Sequence, residues 1–156
     1  KIMKQTPDEK KIQKKMQPGL ITLEGFLGND NRHYHEIIAE DLRLLEKLGI
    51  TNEQIADKLQ DITDQAFESY DGLTTLENGA QVEYVTFRGK VVSPFSGQKP
   101  SPKGFVRYHD PHKNISISWC PLNIQMIRDY GFFEGKGSPN RLDPELIFKL
   151  FFASKK

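Results

Sequence analysis

Residues 131–141, Gly-Phe-Phe-Glu-Gly-Lys-Gly-Ser-Pro-Asn-Arg, hold the densest set of groups able to do chemistry. Gly131, Gly135 and Gly137 allow tight turns and a close backbone approach to a ligand. Lys136 and Arg141 supply positive charge and Ser138 a hydroxyl. Together they suggest a nest of backbone N–H groups for a phosphate or carboxylate. Arg32, from a second glycine-rich loop at 24–32, is a more distant contributor. The stretch is not a P-loop: three residues separate Gly131 from Gly135, and Gly137 stands between Lys136 and Ser138. It also lacks the strand–turn–helix context of a dinucleotide fingerprint. The competing structural role is a helix C-cap at Gly131, then a connector whose Phe132 and Phe133 fill the core.

Other reactive residues are sparser. Cys120 is the one cysteine, so no intramolecular disulfide forms and a reducing, cytoplasmic setting is expected. It follows a strand pattern and precedes Pro121, a place where a helix dipole favours a thiolate. As a nucleophile it would need a histidine base, and otherwise it is a small buried apolar residue. His33 and His35 stand two apart on a helix start and cannot chelate one metal together. His109 and His112 flank a turn, with Asp30 and Asp110 as oxygen donors, but no metal-ligand spacing appears. No metal and no cofactor are expected.

These residues must be positioned by a mixed set of elements. Thr6, Pro7 and Glu9 open a short helix over 7–16, in which Ile12 and Met16 are too few to anchor a core alone. Residues 20–23 form an apolar run suited to a strand or tether. Tyr34, Ile37, Ile38, Leu42, Leu45 and Leu48 recur at helical spacing, with Asn29, Asp30 or Asn31 as cap and Gly49 as terminator. Thr51-Asn-Glu-Gln54 is a capping box for a second helix with Ile55, Leu59, Ile62, Ala66 and Phe67 inward. Leu48–Ala56 resembles the opening of a helix-turn-helix. Its continuation runs on as one acidic helix, the wrong sign for a recognition element.

Past Asn78-Gly79, strand patterns cover 80–87, 105–108 and 115–119, with a bulge or turn at Arg88-Gly89 and a proline-rich loop over 93–104. Two helices follow, from Pro121 to the Gly131 stop and from the Asp143 cap through Leu146, Ile147, Leu150 and Phe151. Clustered strands flanked by helices predict an α+β fold, with an N-terminal helical hairpin (about 32–69) and C-terminal helices on a small, mainly antiparallel sheet. Residues 1–19 are expected to form a basic, partly flexible arm and 20–156 a single domain.

Charge is unevenly spread: +4 over 1–19, −7 over 20–69 and +4 over 70–156. No apolar run reaches membrane-spanning length, so no membrane partner is expected. The N-terminal lysines carry no aromatic residue among them, so nucleic acid is not expected as a partner. Three functions are open: a binder of a small anionic ligand, in a pocket between sheet and helices; a non-enzymatic interaction or self-association module using Phe148, Phe151 and Phe152; and, third, a metal- or Cys-dependent hydrolase. Whether the chain is an enzyme is not legible at this level.

Overall fold

The computed structural model describes residues 6–22, 25–68 and 73–153. The chain runs α1 (Pro7–Lys15), α2 (Tyr34–Leu48), α3 (Asn52–Glu68), β1 (Thr74–Thr75), β2 (Gln81–Val91), β3 (Ser101–Asp110), β4 (Ile115–Trp119), α4 (Pro121–Tyr130) and α5 (Pro144–Phe151). The four strands form an antiparallel meander in sequential order. This is the expected α+β architecture.

The sheet is covered on one face. Val82, Val106, Tyr108 and Trp119 point inward and pack with the α3 stripe of Ile55, Ala56, Leu59, Ile62 and Ala66, and with Ile124 and Ile127 of α4. Each fully buried side chain of this kind contributes about 1.5–3 kcal/mol. Two polar contacts fix the registry: Trp119 Nε1 donates to Thr63 Oγ1 at 2.8 Å, and Asn52 Nδ2 donates to the Ile127 carbonyl at 2.9 Å. A second cluster joins Met16, Phe26, Leu27, Tyr34, Ile37, Phe95, Leu122, Met126 and Phe132. Phe132 enters this cluster and its neighbour Phe133 the first. The connector after α4 therefore nails the two clusters together.

Helix ends follow the local chemistry. The Thr6–Glu9 and Thr51–Gln54 boxes form, and Gly49 and Gly131 stop α2 and α4 at φ 75° and 66°. Four local expectations need correction. The cap of α2 is His33, whose N–H donates to Glu36, because Asp30 is taken up by Arg32. Phe67 is not in the buried stripe; it is 65% exposed and edge-on to Tyr84. The proline-rich loop is shorter than expected, since β2 reaches Val91 and β3 begins at Ser101. Pro102 is tolerated there because β4 pairs only with residues 106–110 of β3, so the start of β3 is an edge that demands no N–H. Residues 20–22 form a turn and bend rather than a strand, and Leu23 lies outside the described residues. Met16, despite its isolation in sequence, is fully buried.

Among the described residues no helix is long and apolar enough to cross a membrane.

Candidate functional site

The glycines of residues 131–141 serve chain-to-chain packing. Residues 25–30 and 134–138 run backbone against backbone: Gly135 N–H donates to the Phe26 carbonyl at 2.8 Å and Lys136 N–H to Asp30 at 3.2 Å. A Cβ on Gly135 would overlap the Leu27 carbonyl, and one on Gly28 would overlap the backbone of Gly137 and Ser138. Only glycine fits that approach.

The predicted cations come close together, but each faces a carboxylate of this chain. Arg32 pairs with Asp30 at 2.7 Å and Glu40 at 3.0 Å, and Lys136 reaches the other oxygen of Glu40 at 3.1 Å. Asp30 is held down to about 2 by the Arg32 hydrogen bond. Arg141 forms a two-point pair with Asp41 at 2.8 and 2.9 Å. Lys136 and Arg141 share one cleft with Glu40, Asp41, Asp143 and Glu145. Ser138 is turned away from that cleft, and its hydroxyl donates to Glu134 at 2.8 Å.

Glu134 is the residue that composition and spacing did not single out. It is buried, and its backbone stands at φ 72°, in the left-handed region that a β-carbon disfavours. Such strain, about 1–3 kcal/mol, persists only where the surroundings over-determine it. Three contacts do so here. Ser138 donates to Oε1, Asn123 Nδ2 donates to Oε2 at 3.0 Å, and Arg141 Nη1 donates to the Glu134 carbonyl at 2.6 Å. Burial pushes the carboxyl up from its ordinary 4.5 to about 7, against the pull of those two side-chain donors and the Arg141 charge. The signals in sequence were an acid wedged between two phenylalanines and a glycine, and an Asn two residues into a Pro-started helix.

The network opens onto a cavity. Asn123 Oδ1 accepts the Cys120 N–H at 2.9 Å and the Cys120 thiol at 3.2 Å, and both residues line a pocket of roughly 390 Å³. The pocket forms where β3 runs past the end of β4 and α4 begins. Its walls include Phe87, Val91, Phe105 and Trp119, and Lys103 is its one charged lining residue among the described ones. Cys120 is the N-cap of α4, as its position before Pro121 suggests. The helix dipole does not prevail, however: burial pushes the thiol up to about 11. At neutral pH Cys120 is therefore a hydrogen-bond donor and not a thiolate nucleophile.

His33 and His35 lie edge-to-face with ring centres 5.6 Å apart, and His109 Nδ1 meets Ser116 Oγ at 2.7 Å on the sheet. Among the described residues no three His, Cys, Asp or Glu side chains converge as a metal site would require. Phe151 and Phe152 pack against the main core and are only partly exposed. Comparison of the chain with known protein families, with curated proteins and with solved structures gives no match.

Proposed function

We propose that this protein binds a small amphipathic molecule, apolar in body and carrying one anionic group, in the cavity between β3 and α4. The observation that carries the reading is the pairing of an aromatic and aliphatic wall with a single cation, Lys103, and a polar floor of Asn123 and Cys120. Largely apolar concavities with a few convergent polar groups are the usual form of small-molecule sites. The protonated thiol favours binding over nucleophilic chemistry. A reducing compartment such as the cytoplasm suits a lone cysteine in this position.

Trp119 and Cys120, the single tryptophan and the single cysteine, both report on this cavity. Decanoate should shift Trp119 emission and slow alkylation of Cys120 by N-ethylmaleimide. Decanol, with no charge, should bind more weakly. Lys103→Glu turns an attraction of about 1 kcal/mol into repulsion, so it should weaken decanoate roughly tenfold and leave decanol unaffected. Equal affinities for the two alkyl chains, or alkylation unaffected by either, would overturn the reading.

A second reading places an anion in the cleft beside Lys136 and Arg141. It is favoured by the 62% exposure of the Lys136 side chain at a concavity of roughly 460 Å³. Four carboxylates line the same cleft, so the anion would have to displace Glu40 or Asp41. Phosphate is therefore expected to raise Tm no more than chloride at equal ionic strength. A phosphate-specific rise that disappears in Lys136→Ala would establish the second reading instead.

A further inference from the structure

Among the described residues the face of the sheet turned away from α3 is partly exposed, and its Phe87–Phe105 end borders the cavity described above. Alternation along the strands places Gln81, Glu83, Val85 and Phe87 of β2 there, beside Lys103, Phe105, Arg107 and His109 of β3 and Ser116 and Ser118 of β4. Val85 is paired with Phe105, which brings Phe87 onto Phe105 along a diagonal. Their rings stack at 5.7 Å and 29°. Phe87 is 53% exposed, an unusual state for a phenylalanine in mid-strand. The Arg107 guanidinium lies 5.3 Å from the Phe105 ring centre.

The charge on this hairpin is predominantly positive. Between residues 81 and 109 stand Arg88, Lys90, Lys99, Lys103 and Arg107, all exposed, against the single acid Glu83. Only Arg107 is paired with a carboxylate of the described residues, at 3.3 Å from Glu83. The acidic α2–α3 hairpin belongs to the helical layer on the covered side. The surplus of positive charge on this hairpin favours the approach of a polyanion.

We propose that this sheet face binds a single-stranded nucleic acid, with a base stacking on Phe87, whose ring Phe105 backs, and phosphates meeting Lys103 and Arg107 on the face and Arg88 and Lys90 at its hairpin end. Exposed rings serve unpaired bases, because a duplex keeps its base faces stacked internally. Gln81, His109, Ser116 and Ser118 stand farther along the same face and offer hydrogen bonds to base edges and sugars. The sequence expectation against nucleic acid rested on the acidic helices and on N-terminal lysines without aromatics. Neither feature bears on the β2–β3 hairpin, where the two phenylalanines, 18 positions apart in sequence, become neighbours only through the register.

The cavity of the small-ligand reading shares Phe87, Lys103, Phe105 and Ser118 with this face, and Arg88 and Lys90 tell the two readings apart. Arg88 and Lys90 lie outside the cavity lining, so Arg88→Ala/Lys90→Ala should bind decanoate like the wild type. The test is anisotropy of a fluorescein-labelled 12-nucleotide oligouridine titrated with the full chain at 50 and 200 mM KCl. Binding should be salt-sensitive, and Phe87→Ala should weaken it about tenfold or more. Loss of two phosphate contacts in Arg88→Ala/Lys90→Ala should flatten the plot of log K against log salt by roughly 1.4. Phe67→Ala, which removes an exposed phenylalanine packed on Tyr84 away from this face, should bind normally. No binding at 50 mM KCl would overturn the proposal, as would full binding by Phe87→Ala. So would equal competition by inorganic polyphosphate of matched charge, or capture by phosphatidylglycerol vesicles without oligouridine binding.

Discussion

Glu134→Gln should make the protein more stable at pH 8 and leave it nearly unchanged at pH 4. The folded-state carboxyl titrates at about 7 against an ordinary 4.5, because burial disfavours its charged form. Between those two values the native protein holds a proton that the unfolded chain has released. Stability therefore falls as pH rises from about 4.5 to about 7, and stays at the lower level above that. A shift of this size corresponds to a cost on the order of 3 kcal/mol at alkaline pH. Glutamine removes the ionisation while keeping the hydrogen bonds: its oxygen can accept from Asn123 and its amide can donate to Ser138, whose hydroxyl turns. With about 2–4 °C per kcal/mol for a chain of this length, Tm at pH 8 should rise on the order of 5–10 °C. Thermal melts of both proteins from pH 4 to pH 8.5 give the answer. Parallel curves would show that Glu134 is ionised throughout and that its partners compensate its burial.

The same residue shows where a sequence stops being informative. Helix ends were legible because capping is local: Thr6 with Glu9, Thr51 with Gln54, and Gly49 and Gly131 all act within a few positions. The antiparallel sheet was legible because alternation and turn residues are local too. Gly135 and Gly137 read in sequence as a ligand cradle, yet the partner that needs their missing side chains is residues 27–29, over a hundred positions earlier. The same separation hides why Arg141 is where it is, because its carboxylate lies on α2. Met16 is the converse case: an isolated apolar residue in a lysine-rich segment is buried because the Phe26 N–H reaches its carbonyl and folds the chain over it. A Phe67 at helical spacing carries no sign of whether the sheet extends far enough to cover it, and here it does not.

Arg141→Ala should be among the most damaging single substitutions, with a loss of about 3–5 kcal/mol, the range for breaking a buried ion pair from one side. Asp41 is only 4% exposed and Arg141 14%, so alanine strands a carboxylate that water barely reaches. It also removes the donor to the Glu134 carbonyl, one of three contacts holding that residue in its strained backbone geometry. Replacing both partners, as Asp41→Leu/Arg141→Met, removes the stranded charge and should recover most of the loss, so the two single substitutions will not add. Urea unfolding at pH 7 of the wild type, Asp41→Leu, Arg141→Met and the double variant measures the coupling. A double variant that loses the sum of the single losses would mean that the pair is solvated and its geometry incidental. The Arg141 charge also holds the Glu134 carboxyl lower than burial alone would set it. In Arg141→Ala the Glu134 midpoint, followed by carbon-13 chemical shift, should therefore move above about 7. In Lys136→Ala it should stay put, because Lys136 pairs with Glu40 on the far side of the loop. An Arg141 that served a bound anion and not this network would leave the Glu134 titration where it was.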